Sequence, residues 1–272
     1  MHPAAGEESR QLQGLGVLVT RPEHQADALC QWIESHGGHA IRCPALRIVE
    51  PRDWRPALAL FARLTDYDLL IFTSANAVDR TLPHITERGS FPVRLELAAI
   101  GQATARALAR HGIDRCLRPE QDFTSEALLA LPRFQQVAGQ AIAIVRGEGG
   151  RELLADTLRS RGARVDHAEV YRRERPDIAI EPLLERWARG DIGAVIATSG
   201  ETLSNLFDML GAAGQHYLCQ TPMIVVSTRT VQAAAKLGCH HLLLAQEASD
   251  AAIAAALLRL AAHPSLSVGN AT

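Results

Sequence analysis

Short apolar runs alternate with amphipathic stretches along most of the chain. The runs Gly16–Val19 and Leu69–Phe72 are almost wholly apolar, which is typical of parallel strands buried on both faces. After the first run, apolar residues recur at helical spacing from Leu29 to Ile33, and Gly37 supplies a helix stop. Similar runs lie at 97–100, 141–145, 194–196 and 223–226. This alternation of strand and helix predicts an α/β fold with parallel sheets.

The two halves of the chain repeat each other at a fixed offset. The step Thr73-Ser74 follows one apolar run, and the step Thr198-Ser199 follows another, 125 residues further on. Arg21 and Arg146, which also follow apolar runs, keep the same offset. A period this long indicates a tandem duplication of domain size rather than an array of short repeats. The sequence therefore predicts two similar α/β domains.

Each Thr-Ser step lies where a strand is followed by a helix. Ligands of open parallel sheets bind beyond the carboxyl ends of the strands, where helix N-termini offer unpaired N–H groups to anions. The segments 101–104 and 227–230 are further junctions of this kind. The hydroxyl groups at these junctions either cap the helices or line a ligand site, and helix capping alone explains them.

Composition and charge narrow the class of partner. The chain has 272 residues, of which 47% are hydrophobic, enough for two cores. Its formal net charge is −2, with 28 basic and 30 acidic residues. Because the chain has no excess of basic residues that would bind a phosphate backbone, we expect no nucleic-acid partner.

The cysteines and the termini bear on the compartment. Five cysteines without a C-x-x-C motif argue against a disulfide framework and against structural zinc. The cluster Cys239–His241 looks like a metal site, but neighbours on a strand point to opposite faces, so we expect no bound metal. Residues 1–13 lack the apolar core of a signal peptide, and no apolar run is long enough to span a membrane. We expect a cytoplasmic protein with no membrane association.

Several motifs, in order along the chain, resemble the uroporphyrinogen-III synthase family. They are "LVTRP" at 18–22, "AIGQATARAL" at 99–108, "RPEQDFTSEALLALP" at 118–132, "GEGGRELLADTLRSRGA" at 147–163, "EVYRR" at 169–173 and "VIATSGETL" at 195–203. The order and spacing of the motifs from about Val17 to Leu260 carry the resemblance, because no single motif is decisive.

The resemblance implies two similar parallel-sheet α/β domains joined by a two-stranded linker, with the first domain discontinuous. On this model, domain 1 comprises 1–43 and 177–272, domain 2 comprises 51–170, and the linkers are 44–50 and 171–176. Prolines mark both linkers. The sequence by itself equally allows two contiguous halves.

The resemblance also implies the reaction. The family closes the linear tetrapyrrole hydroxymethylbilane into uroporphyrinogen III, with inversion of ring D and loss of water, in the cleft between the two domains. No cofactor or metal is implied, and we expect a monomer. Such a reaction depends mainly on folding the substrate into shape. The family's "VY" position makes Tyr171 the candidate general acid, and its alternative role is packing.

The substrate carries eight carboxylates, so the binding residues should be local hydrogen-bond donors. The candidates for substrate binding are Arg21, Thr73, Ser74, Thr104, Arg146, Ser199, Gly200 and Thr230. Arg21 and Arg146 are equally compatible with structural ion pairs, for instance to Glu23 or Glu148.

Two alternatives remain from the sequence. A non-catalytic bilobal tetrapyrrole-binding sensor or regulator would keep the binding site without turnover. A nucleotide-binding α/β enzyme is disfavoured because no G-x-G-x-x-G opens a helix. The glycine-rich segment 147–151 lacks the Gly-Lys-Ser/Thr of a phosphate loop, so we interpret it as a tight turn.

Overall fold

The structure is a computed structural model that describes residues 11–87, 89, 91–121, 123–247 and 249–263. The expectation of no signal peptide rests on residues 1–13, most of which lie outside the described residues. That expectation stays a prediction.

The chain divides into two compact units. One unit is Met1–Arg47 together with Glu174–Thr272, and the other is Ile48–Arg173. Both divisions fall within the segments 44–50 and 171–176, which we expected to be linkers. The domain bounds given above remain a prediction.

The first unit contains a parallel sheet whose strands come from both ends of the chain. With elements numbered in chain order, the strands are β1 (Gly16–Val19), β2 (His39–Arg42), β8 (Ala194–Ala197), β9 (Met223–Val225) and β10 (Leu242–Leu244). Their order in the sheet is β10-β9-β8-β1-β2, and neighbouring strands are parallel. The helices of this unit are α1 (Asp27–Ser35), α8 (Glu181–Ala188), α9 (Gly200–Gln220), α10 (Thr228–Lys236) and α11 (Asp250–Ala262).

The second unit contains a sheet of the order β3-β7-β6-β4-β5. These strands are β3 (Arg47–Val49), β4 (Leu69–Phe72), β5 (Glu96–Ala99), β6 (Ala141–Gly147) and β7 (Arg164–Glu174). From β5 to β7 all neighbouring strands are parallel. The helices are α2 (Arg55–Phe61), α3 (Ala75–Thr86), α4 (Gln102–Arg110), α5 (Ser125–Ala130), α6 (Pro132–Gln135) and α7 (Leu153–Ser160). The expected α/β class with parallel sheets is confirmed.

Each unit is built from parts of both sequence repeats. Strands β1, β2 and β4 begin 125 residues before β6, β7 and β8, respectively. Yet β1 pairs with β8 of the second repeat, while β6 and β7 pair with β4 and β3 of the first. Each sheet therefore combines both repeats, which is why the first unit is discontinuous in sequence.

The buried strands explain the uninterrupted apolar runs. In β1, Leu18 packs into one core cluster, while Val17 and Val19 pack into another on the opposite face. The same division holds in β4, where Leu70 and Ile71 belong to different clusters. Burying each such side chain contributes about 1.5–3 kcal/mol.

Serine or threonine caps many of the helices that follow these strands. The Oγ of Ser74 accepts from the N–H of Ala77 at 3.1 Å, and the Oγ1 of Thr124 accepts from the N–H of Ala127 at 3.1 Å. Ser199, Ser227 and Ser249 cap α9, α10 and α11 in the same way. The capping role expected for the Thr-Ser steps thus falls on the serines.

Two of the five cysteines form a disulfide, although the sequence argued against a disulfide framework. Cys219, in the last turn of α9, forms a disulfide with Cys239, which follows α10. Cys239–His241 precede strand β10 rather than forming part of a strand, so the geometric reason given against a metal site was also wrong. The pairing was not apparent because it depends on how α9 and α10 pack together, not on local spacing.

Candidate active site

Tyr171 lies within β7 of the second unit, although we expected it in a linker. Its side chain is only 1% exposed and belongs to the core cluster that contains Phe72 and Val145. Its hydroxyl oxygen is 3.1 Å from Ser74 Oγ, at the carboxyl end of β4. The candidate general acid is therefore buried in the sheet, with its polar end directed at one of the two Thr-Ser steps.

Arg173 is the second polar partner of Tyr171. Its Nη2 donates to the Tyr171 hydroxyl oxygen at 3.2 Å, and its guanidinium carbon lies 5.6 Å from the centre of the Tyr171 ring. By donating to this oxygen, Arg173 fixes the orientation of the Tyr171 hydroxyl group.

Gly147 provides the space for the Tyr171 ring. A Cβ at this position would lie 2.6 Å from Cε2 and 2.7 Å from Cζ of Tyr171. The register between β6 and β7 shifts at this point, so that Gly147 lies opposite Tyr171. The glycine-rich segment 147–151 begins with this residue, and Glu148 and Gly149 form the turn after β6.

The threonines of the second unit are largely engaged or buried. Thr73 Oγ1 donates to the carbonyl oxygen of Val145 at 3.2 Å. Thr104, in the first turn of α4, is 4% exposed. Helix α4 begins after Gly101, where a Cβ would approach Phe123 within 2.9 Å. Among the candidate substrate-binding residues in the described part of this unit, Ser74 is the one whose hydroxyl contacts Tyr171.

Arg146 lies in an ion-pair cluster. Its Nη2 is 2.7 Å from Glu152 Oε1 and 3.2 Å from Glu169 Oε1, and its side chain is 10% exposed. The hydrogen bond from Arg146 lowers the pKa of the Glu152 carboxyl. Burial, with Arg146 close by, lowers the pKa of His167. The partners are not Glu148, as suggested from the sequence, and this geometry favours the structural role for Arg146.

In the first unit, the junctions after β8 and β9 are built alike. Ser199 Oγ is 2.8 Å from Thr202 Oγ1, and Ser227 Oγ is 2.9 Å from Thr230 Oγ1. Thr230 is 2% exposed, so its hydroxyl serves mainly this internal pair. Gly200 begins α9, and its N–H is one of those that an α-helix leaves unpaired at its N-terminus. These junctions therefore offer backbone donors to an anion.

Arg21 follows β1 at the same edge of the first sheet. Its Nη1 forms a hydrogen-bonded ion pair with Asp250 Oδ1 in the first turn of α11. Its side chain is 11% exposed, whereas that of Asp250 is 44% exposed. The partner differs from the Glu23 suggested by the sequence, because the contact joins residues that are 229 positions apart.

Two residues beside Tyr171 were missed as candidates. Arg173 lies on the same strand, two positions on, inside the motif "EVYRR". Gly147 opens the motif "GEGGRELLADTLRSRGA". The motifs marked both positions, but only the fold shows what each one does to Tyr171.

Metal-binding and membrane-spanning features are both absent from the described part of the chain. No group of three or more His, Cys, Asp or Glu residues there is arranged to hold a metal ion. None of the described helices is long and apolar enough to cross a membrane.

Two repeated α/β units, each with hydroxyl groups where its parallel strands end, define a two-unit α/β protein with hydrogen-bond donors at the strand ends of each unit. A family model described as uroporphyrinogen-III synthase HemD matches residues 27–255. The chain belongs to the uroporphyrinogen-III synthase family.

Individual relatives agree with this assignment. The chain is 34% identical to uroporphyrinogen-III synthase of Salmonella typhimurium over 254 residues, covering 89% of this chain and 100% of the relative. The Escherichia coli synthase is also 34% identical, over 248 residues, with the same coverage. Among solved structures, a mutant uroporphyrinogen III synthase from Thermus thermophilus matches with a TM-score of 0.62 at 19% identity, covering 92% of this chain and 99% of that one. This last similarity concerns the fold alone.

Proposed function

We propose that this protein is a cyclising lyase that converts hydroxymethylbilane into uroporphyrinogen III, with inversion of ring D and loss of water. Membership of the synthase family over nearly the whole chain carries the proposal. The product is the precursor that heme and other tetrapyrrole pathways share. The comparisons do not favour the alternative of a non-catalytic sensor.

The first chemical step is departure of the terminal hydroxyl group of the substrate. Protonation of this group releases water and leaves an azafulvene cation, which the substituted carbon of ring D attacks to give a spiro intermediate. Fragmentation and closure then give the inverted macrocycle. We propose that the proton originates from Tyr171, whose oxygen lies beside the Arg173 guanidinium.

The remaining task is to hold a flexible substrate in one shape. We propose that carboxylates of the substrate are bound by backbone N–H groups and hydroxyls where strands end, at Thr73, Ser74, Ser199 and Gly200. Thr104, Thr230, Arg21 and Arg146 contribute less directly, because their side chains are buried or paired within the protein. Positioning of this kind lowers the barrier without a protein nucleophile.

We also propose that no metal or cofactor takes part, since acid-assisted loss of a hydroxyl needs neither. Overnight treatment with a chelator followed by gel filtration should leave the rate of uroporphyrinogen III formation unchanged. Loss of activity that returns on adding one divalent metal would contradict this part of the proposal.

The location and state of the protein stay as predicted from the sequence: a cytoplasmic monomer that binds a linear tetrapyrrole and has no nucleic-acid partner. The disulfide between Cys219 and Cys239 removes one argument for a reducing compartment.

A genetic test can address the function in a cell. A bacterial strain that lacks its own synthase and needs added heme should grow without heme when it expresses this protein. The matched control is a plasmid that encodes the Gly16→Ala variant, which should fold poorly because the added Cβ meets the backbone of Asp191. No growth despite soluble accumulation of the unaltered protein would argue against synthase activity.

A further inference from the structure

A row of hydrogen bonds links Tyr171 to the surface of its unit. The Arg173 Nη2 group donates to the Tyr171 oxygen at 3.2 Å, and that oxygen lies 3.1 Å from Ser74 Oγ. Ser74 Oγ also accepts from the N–H of Ala77 at 3.1 Å. Tyr171 is 1% exposed, whereas Ser74 is half-buried. Of the two hydroxyl groups in the row, that of Ser74 is the outer one and that of Tyr171 the inner one, while Arg173 at the other end is exposed.

The donors and acceptors present allow a proton to pass outward along the row. A serine oxygen has two acceptor positions and one proton. The N–H of Ala77 occupies one acceptor position of Ser74. Arg173 has only protons to give, and it occupies one acceptor position of Tyr171. Either hydroxyl can be the donor in the contact between Tyr171 and Ser74. When Tyr171 donates, both acceptor positions of Ser74 are filled and the Ser74 proton is directed away from Tyr171.

We propose that Ser74 is the hydroxyl group that delivers the proton to the substrate and that Tyr171 acts through it. This inference rests on the proposed function and refines its acid step. As a substrate-binding residue, Ser74 would only hold a carboxylate of the substrate. Here it is the catalytic donor, Tyr171 is the proton source behind it, and Arg173 holds Tyr171 in place.

The proton transfer balances without a further reactant. The Ser74 proton passes to the terminal hydroxyl oxygen of hydroxymethylbilane while the Tyr171 proton passes to Ser74 Oγ. The carbon–oxygen bond breaks, water leaves, and the positive charge stays on the azafulvene. Tyr171 becomes a phenolate beside Arg173. When the ring closes, the pyrrole carbon that forms the new bond loses its proton, and that proton restores Ser74 and Tyr171.

Comparison with the other caps shows what is specific to Ser74. Ser199 and Ser227 cap their helices in the same way, but their Oγ atoms contact Thr202 and Thr230. Ser249 donates to Glu247. Among the serine caps in the described part of the chain, Ser74 is the one whose hydroxyl contacts a tyrosine. Helix capping therefore does not account for the Tyr171 contact.

The test compares Ser74→Ala with Thr124→Ala in the unaltered full-length chain. Both variants remove a cap that accepts from an alanine N–H at 3.1 Å in the same unit, so the loss of capping is matched. Steady-state formation of uroporphyrinogen III is measured for both, with Ser74→Thr as a variant that keeps the hydroxyl. Rates in mixtures of H2O and D2O report how many protons move in the slow step.

We expect Ser74→Ala to lower kcat about 30-fold with little change in KM, a loss below the usual range for a general acid because water partly replaces the hydroxyl. Thr124→Ala should keep the parent kcat, and Ser74→Thr should recover most of it. The double variant of Ser74→Ala with Tyr171→Phe should be no slower than Tyr171→Phe alone. In the unaltered protein, the rate should fall with deuterium content in a curve rather than a straight line, because two protons move in the same step.

Three results would overturn the relay. Equal kcat values for Ser74→Ala and Thr124→Ala would show that Tyr171 donates directly. A raised KM with unchanged kcat would show that Ser74 only binds substrate. Additive losses in the double variant would show that the two hydroxyls act separately. If the unaltered protein forms no isomer III at all, the proposed function itself fails, and that outcome is distinct from these three.

Discussion

Replacing Tyr171 by phenylalanine should lower kcat for uroporphyrinogen III formation by about 100-fold, at the low end of what a general acid contributes. The ring would still fill the space beside Gly147, so the fold should be retained. The residual activity should stay well above the spontaneous rate, because positioning of the substrate survives the change. Purified variants are compared by initial rate and by KM.

Tyr67→Phe is the matched control for this substitution. Tyr67 is also buried in the second unit, 4% exposed, and its hydroxyl donates to Asp166 at 2.8 Å. Burial, with Asp166 beside it, raises the pKa of Tyr67 to about 12. The control loses a buried phenol without touching Ser74, so its kcat should be unchanged. Equal kcat values for both tyrosine variants would remove Tyr171 from the mechanism.

Replacing Gly16 by alanine should destabilise the first unit by about 3 kcal/mol or more, at the upper end of overpacking costs. Gly16 begins β1, and a Cβ there would lie 1.7 Å from the backbone oxygen of Asp191. A backbone atom cannot swing aside as a side chain can, so β1 or the segment before β8 must move. Urea unfolding monitored by circular dichroism gives the change in midpoint.

Gly200→Ala provides the control for this change. In the same unit, its added Cβ would meet only Ala233 Cβ at 3.4 Å, which is ordinary contact. Alanine also favours a helix over glycine by about 1 kcal/mol, so this variant should be as stable as the parent or more so. A Gly16→Ala protein that unfolds at the parent urea concentration would show that the strand contact is looser than the structure indicates.

The strands that were predictable are those buried on both faces. Residues 16–19 and 69–72 are strands β1 and β4 with the bounds expected from the apolar runs. Strand β7 was harder to delimit, because exposed and buried residues mix along it and it continues to Glu174. The family resemblance implied a linker position for Tyr171, whereas the residue lies in β7 of the second sheet.

Contacts between distant parts of the chain lay beyond local pattern. Ser74 and Tyr171 were each candidates, but nothing in their spacing of 97 residues indicated that their oxygens lie 3.1 Å apart. The partners of Arg21 and Arg146 were misassigned for the same reason, since ion pairs form wherever the fold brings opposite charges together. The repeat offset predicted the strand ends, but not which residues face each other there.

The isomer composition of the product tests the central claim most directly. Freshly generated hydroxymethylbilane is given to the purified protein, the products are oxidised, and the isomers are separated beside a sample without protein. Predominant isomer III, formed faster than the spontaneous reaction, is the result we predict. Isomer I alone, at the rate of the sample without protein, would contradict the assignment of synthase activity to this chain.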